Sequence, residues 1–352
     1  MLEKYKSLLS QIDKEKEKSV PMGVNSKTLI VDGLWLNTFI RSFSVDPSCN
    51  DNGVHVGGIT GFLKSIGYAI KLFSPTRVII VFDGKGGSQK RRKLYPEYKQ
   101  KKKVSIRYNR AIHISSQEDE QQSIKMQMGR LLQYLEALPV NIICIDNIEA
   151  DDVISYIAKN PLDNEVNNYY IMSTDKDFYQ LIDNNTFVWS PTKKKLYDIN
   201  AIVDEYSIHP NNFIMYRILD GDVSDNISGV KGLALKTIQK SFPFLKEETE
   251  ANINLLLSNS IDKKGKHFES ILNSKNILDR NYQLMQLKDV DISGDAKLKI
   301  VNNIREKNFT LNQWNFKTFI LEDQINSAFP NLDIWLKTCF ENLNTYAMKY
   351  AK

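Results

Sequence analysis

Two apolar runs, each stopped by the same pair of residues, set what this chain can fold into. Thr28-Leu29-Ile30-Val31 runs into Asp32-Gly33, and Arg77-Val78-Ile79-Ile80-Val81-Phe82 runs into Asp83-Gly84. Neither alternates polar with apolar residues, so each reads as a strand covered on both faces, the mark of a parallel sheet between helices. Between them lies an amphipathic helix pattern with Ile59, Phe62, Leu63, Ile66, Ala69, Ile70 and Phe73 on one face, stopped by Ser74-Pro75. In an open parallel sheet, ligands bind beyond the carboxyl ends of the strands. Two Asp at two such ends point into one crevice, although either alone is more often a plain turn residue.

A third apolar run, Val140 to Ile145, leads to Glu149-Ala150-Asp151-Asp152 and a helical segment through Ala158. Three carboxylates in four positions repel one another, and each resists ionising without a positive partner. A divalent cation is one escape, because hard oxygens suit Mg²⁺ or Mn²⁺. The dipole of a helix N-terminus also welcomes acids and accounts for one or two of them. The fourth strand, Tyr169 to Met172, is followed by Ser173-Thr174-Asp175-Lys176-Asp177, then a helix over Phe178 to Ile182, a short strand at Phe187-Val188-Trp189 and a hairpin tip at Lys193-Lys194-Lys195. A helix from Asn211 to Leu219 ends at Asp220-Gly221-Asp222-Val223-Ser224-Asp225-Asn226. Gly229 and Gly232 follow, three residues apart and flanked by Lys231, Lys236 and Lys240. That spacing suits a hairpin between helices whose backbone N–H groups face a phosphate.

Charge is uneven along the chain. The net value is only +5, with a pI near 8.8, so its distribution decides the partner. From Lys85 to Arg110 run Lys85, Lys90, Arg91, Arg92, Lys93, Lys99, Lys101, Lys102, Lys103, Arg107 and Arg110 against the single acid Glu97, with Tyr95, Tyr98 and Tyr108 among them. Lys and Arg bind phosphates and Tyr stacks on bases, so the stretch reads as a nucleic-acid contact rather than a solvated face. A second amphipathic helix follows, with Ile124, Met128, Leu131, Leu132, Leu135 and Leu138. Cys49, Cys144 and Cys339 are odd in number and widely spaced, which fits neither a disulfide framework nor zinc and points to a reducing compartment. Cys144, inside an apolar strand, is expected in the core. No apolar run is long enough to span a membrane, and no signal peptide is read at the N-terminus. Residues 1–26 form a charged N-terminal tail with Leu2, Tyr5, Leu8, Leu9 and Ile12 at helical spacing. Residues 27–205 form an α/β core with the basic insertion at about 85–125, and residues 206–352 a helical C-terminal lobe.

The order of these motifs, Val-Asp-Gly, Val-Phe-Asp-Gly with a basic stretch, Glu-Ala-Asp-Asp, Ser-Thr-Asp-Lys-Asp and Gly-Asp-x-x-Asp-Asn with Gly-Val-x-Gly, resembles the 5′ nuclease superfamily of flap endonucleases and 5′–3′ exonucleases. The likeness covers roughly residues 27 to 240 and is strongest to stand-alone phage enzymes, including phage ribonuclease H, and to the 5′ nuclease domains of bacterial DNA polymerase I. It implies a PIN-like fold: a mainly parallel sheet flanked by helices, a basic helical arch, and a helix-hairpin-helix in the C-terminal lobe. It implies two Mg²⁺ positions, with Mn²⁺ able to substitute. Asp32, Asp83, Glu149 and Asp151 would serve the first, and Asp175, Asp177 and Asp225 the second, with Asp151 between them. Asp152 and Asp222 would stand outside the ligands. Arg91 and Lys99 match the family's phosphate-facing pair, while Lys90 stands where an aromatic is usual. Lys90, Arg92, Lys93 and Lys102 would contact DNA from the arch. Gly229, Gly232 and Lys236 would grip the duplex, with a bound K⁺, although Ala234 replaces a usual second Gly.

The resemblance thus implies a metal-dependent 5′–3′ exonuclease and flap endonuclease acting on DNA and RNA–DNA hybrids with a free 5′ end or flap. It implies primer removal in replication, a monomer in the cytoplasm (the host's if phage-encoded), and partners such as a polymerase or single-strand-binding protein. Two cations about 4 Å apart activate a water and relieve charge on the leaving oxygen, and basic residues add transition-state stabilisation. A PIN-like ribonuclease shares strand-end acids but lacks the basic insertion and glycine hairpin. A phosphatase with an Asp nucleophile would carry a second Asp two residues on, which Val31-Asp32-Gly33-Leu34 lacks. An inactive DNA-binding scaffold would have no need of so many repelling acids.

Overall fold

The computed structural model describes residues 26–33, 38–100, 116–160, 166–306 and 309–350. The expected N-terminal helix and the tip of the basic insertion, Lys102 included, lie outside them. Six strands form one sheet: β1 (Ser26–Asp32), β2 (Arg77–Asp83), β3 (Asn141–Ile145), β4 (Val166–Met172), β5 (Thr186–Ser190) and β6 (Lys195–Tyr197). Their order is β3-β2-β1-β4-β5-β6, parallel except for the antiparallel β5–β6 hairpin. The sheet is therefore mainly parallel and flanked by helices, as its apolar runs predict.

Alternate residues of each strand feed two cores. Leu29, Val31, Val78, Ile80 and Met172 pack with the helices Gly57–Phe73 and Gln117–Glu136. Ile30, Ile79, Val81, Ile143 and Ile171 pack with the helices Ala150–Lys159, Phe213–Asp220 and Lys275–Met285. Each fully buried Leu, Ile, Val or Phe contributes about 1.5–3 kcal/mol, and only a strand apolar at every position supplies both faces.

The helices after residue 206 contribute to both cores. Leu278, Leu284, Ile300 and Ile304 join one core, whereas Phe316, Ile320, Leu336 and Phe340 join the other. The helices Gln313–Glu322 and Leu332–Tyr350 thus serve the nuclease core itself, the latter against Gly57–Phe73. Cys144 is exposed rather than buried, because β3 is the outermost strand of the sheet.

The sheet order places β1 between β2 and β4, where the direction of winding reverses. That switch point is where open α/β sheets hold ligands. Asp32 stands at its floor, and the segments after β2, β3 and β4 converge on the same edge. Gly84 lets them meet: a Cβ there would lie 1.7 Å from the Ile145 carbonyl oxygen.

Candidate active site

Asp32 is fully buried at the end of β1 and accepts a 2.7 Å hydrogen bond from the Ser173 hydroxyl at Oδ2. The same hydroxyl accepts from the Asp175 N–H at 3.0 Å, tying the β4 loop to β1. Asp83 receives the Ala150 N–H at 2.7 Å and so holds the start of the Ala150–Lys159 helix. Glu149, just before that helix, is 1% exposed. Its Oε2 accepts from Arg91 Nη1 and from the buried Tyr98 hydroxyl, both at 2.9 Å.

Two carboxylate oxygens here are sealed from solvent without a hydrogen bond: Asp151 Oδ1 and Glu149 Oε1. Lys99 Nζ lies 3.5 Å from the latter. Burial, together with Asp175, Asp32 and Glu149, drives the Asp151 carboxyl well above the usual range against the pull of Lys99. Burial and the adjacent Asp177 push Asp175 up to about 8. Burial likewise raises Asp225 to about 6 in spite of Lys99. An unpaired buried acceptor costs about 1–3 kcal/mol, more when charged. The fold therefore holds these acids at a standing cost.

Three cations answer part of that charge. Arg91, on the helix Gln89–Leu94, grips both Asp152 oxygens at 2.7 and 2.8 Å, Glu149 at 2.9 Å and the Leu284 carbonyl at 2.8 Å. These contacts engage all but one of the five guanidinium N–H groups. Lys99, in a left-handed backbone conformation at φ 48°, reaches Glu149 at 3.5 Å and Asp225 at 3.9 Å. Arg217 is 4% exposed and pairs with Asp177 at 2.5 Å and also with Asp222. Among the described residues no three His, Cys, Asp or Glu side chains stand as a ready-made cation cage, since the arginines and the lysine lie between the acids. The donors nevertheless suit a hard cation: every one is a carboxylate oxygen, and two buried ones lack a hydrogen bond.

Two further cations of the basic segment also contact the protein itself. Lys90 pairs with Asp291 at 2.5 Å, and Arg92 donates to the Tyr98 carbonyl at 3.2 Å. Lys93 and Lys236 are exposed. The Gly229 region joins the helix Phe213–Asp220 to the helix Leu235–Ser241, so a hairpin does stand between helices. Gly229 has a packing role in it: a Cβ would sit 2.2 Å from the Asp220 carbonyl oxygen, and Val230 N–H caps Leu219 at 2.8 Å. Gly229→Ala is expected to cost roughly 1–3 kcal/mol in urea denaturation; an unchanged midpoint would show that the loop yields freely. Gly232, at φ 86°, has open space around it.

Residues 27–207, more than half of the 352, match the family described as 5′-3′ exonuclease, N-terminal resolvase-like domain. The chain belongs to that family. A 5′-3′ exonuclease of Buchnera aphidicola is 28% identical over 278 residues, covering 78% of this chain and 91% of its own. One from Aquifex aeolicus is 27% identical over 296 residues, covering 80% and 91%. Among solved structures, a bacteriophage T5 D15 flap endonuclease complexed with DNA and metal ions superposes with a TM-score of 0.59 at 19% identity, over 85% of this chain and 99% of that one. T5 D15 protein co-crystallised with metal ions gives 0.54 at 20% identity, over 84% and 98%. These two likenesses are of fold.

In this 5′–3′ exonuclease family member, the structure corrects the reading of Tyr98 as a base-stacking group: it is buried, with its hydroxyl on Glu149. It also gives roles to Ser173, which the sequence showed only as part of a motif, and to Arg217, which stood as a lone cation inside the apolar helix Phe213-Ile214-Met215-Tyr216-Arg217-Ile218-Leu219.

Proposed function

We propose that this chain hydrolyses phosphodiesters near the free 5′ end of DNA and RNA–DNA hybrids, as a Mg²⁺-dependent 5′–3′ exonuclease and flap endonuclease. The supporting observation is the crevice at the switch point, where acids from five separate segments crowd together and two oxygens lack a hydrogen bond. Asp32, Asp83, Glu149 and Asp151 would hold one Mg²⁺, and Asp175, Asp177 and Asp225 a second, with Mn²⁺ able to replace either. When bound, such a pair supplies an activated water and relief of charge on the departing oxygen. Asp83 and Ser173 keep the acid-bearing loops in register through their hydrogen bonds. Lys99, held only at 3.5 and 3.9 Å, is free to turn to the scissile phosphate. Arg91 is largely committed to Glu149 and Asp152, so its part shifts from clamping phosphate to holding those acids in place.

Lys90, Arg92, Lys93 and Lys102 would guide the single-stranded 5′ end, and Gly229 to Lys236 would hold the duplex, with K⁺ bound there. The setting is flap and primer removal in DNA replication, in the cytoplasm, by a monomer working beside a polymerase or single-strand-binding protein. No helix among the described residues is long and apolar enough to cross a membrane.

Digestion of 5′-labelled flap, nicked and hybrid substrates tests this. Cutting near the 5′ end in Mg²⁺, abolished by chelator, is the expected result. A scaffold would bind flaps in Mg²⁺ and cut nothing. A PIN-like ribonuclease would cut RNA without regard to a 5′ flap, and either outcome would overturn the proposal.

A further inference from the structure

We propose that Arg217 is a positioning residue that aims Asp177 at the second cation, with Asp222 as its anchor; this rests on the metal-dependent function above. Arg217 projects from an otherwise apolar helix and is almost wholly buried. Removing a guanidinium from water costs several kcal/mol, and core packing alone gives no reason to bear that cost. Its three groups reach two separate segments. Nε donates to Asp177 Oδ1 at 2.5 Å, on the loop after β4; Nη2 pairs with Asp222, and Nη1 donates to the Gly221 carbonyl at 3.2 Å, both on the loop after its own helix.

The two acids it joins are left in different states. Asp222 is used up: Oδ2 faces Arg217, while Oδ1 accepts the Ser224 N–H at 2.7 Å, the Asp225 N–H at 3.3 Å and the Ser224 hydroxyl. Asp177 is engaged by Arg217 at Oδ1 only, which fixes the direction of its other oxygen. Asp175 is held in the same half-used way, with Oδ1 accepting the Asp177 N–H at 2.8 Å. Arg217 therefore orients one of the pair and the backbone orients the other. Because Asp222 also receives the Asp225 N–H, the same contact sets the start of the turn that carries Asp225.

A structural ion pair and a positioning group make different predictions. Removing one partner of a purely structural buried pair lowers stability but leaves metal affinity alone, whereas loss of a group that orients a metal ligand costs about 10- to 100-fold in metal affinity. The test is Mn²⁺ titration followed by electron paramagnetic resonance, on the full chain without DNA. Wild type should bind two ions. Arg217→Met should weaken one of them by about 10- to 100-fold and leave the other unchanged. Arg217→Lys, whose single ammonium cannot span both carboxylates, should fall between; with labelled flap its kcat should drop while KM holds.

Full two-ion affinity in Arg217→Met would overturn the proposal. If the Met variant does not fold, wild-type affinity in Arg217→Lys would do the same. A wild type that binds no Mn²⁺ would instead remove the metal-dependent reading beneath it, a failure distinct from a variant matching a two-ion wild type.

Discussion

Asp151→Asn is expected to slow cleavage of a 5′-labelled flap by on the order of 10³-fold, the scale for losing one group that stabilises transition-state charge in a dry site. Flap binding, read by anisotropy in chelator, should persist or tighten. Asp151 is the acid that the others surround: Asp175, Asp32 and Glu149 all act on its charge, and its Oδ1 has no hydrogen-bond donor. Asparagine keeps the shape and removes the charge. The cost of burying a carboxyl among other acids, burial first and repulsion second, is then relieved, so the metal-free protein should melt a few degrees higher; about 1 kcal/mol moves a domain of this size by roughly 2–4 °C. The two signs together are the useful signature, since a variant that merely misfolds loses both rate and melting temperature. Cleavage above a tenth of the wild-type rate would show that Asp151 is not the shared group.

Lys99→Ala and Arg91→Ala are expected to differ in kind. Lys99 sits 3.5 and 3.9 Å from its carboxylates, outside hydrogen-bond range. Its removal should cost little stability and about 10²- to 10³-fold in single-turnover cleavage. Arg91 makes close contacts to Glu149 and Asp152, with 11% of its side chain exposed. Breaking a buried ion pair by removing one partner costs about 3–5 kcal/mol, because the other charge is stranded. Arg91→Ala should therefore shift the urea midpoint strongly as well as abolish cleavage. Wild-type stability in Arg91→Ala would return it to a pure phosphate contact. A large loss of stability in Lys99→Ala would make that lysine part of the scaffold.

How much of this was legible beforehand depends on the range of the interaction. The β1 and β2 runs and their terminal Asp32 and Asp83 were plain, because burial on two faces leaves an unbroken apolar string and a strand end is a local event. The Ala150–Lys159 helix behind Glu149 was equally local. Cys144 was misplaced because an edge strand can carry the same apolar run as a central one, and strand order is set by contacts far apart in sequence. The same holds for Phe316 and Phe340: an aromatic side chain favours burial, but nothing local says which side of the sheet it will cover. Arg217 was passed over because no short motif contains it: its partners, Asp177 and Asp222, stand forty residues before it and five after. The commitment of Arg91 to Glu149 and Asp152 was hidden for that reason too, since a basic run reads the same whether it faces solvent or a buried acid.

The sheet order has a consequence for when this protein becomes dangerous to nucleic acid. The crevice draws on β1, β2, β3 and β4, and its far wall on Arg217 and Asp225. A nascent chain that has emerged only through Met172 already displays several of the acids. It still lacks the guanidinium that aims Asp177 and the turn that brings Asp225. Long-range parallel pairing is also slow to form. Cutting power is thus expected only late in synthesis, and a ribosome-bound fragment ending before residue 213 should leave the templates around it uncut.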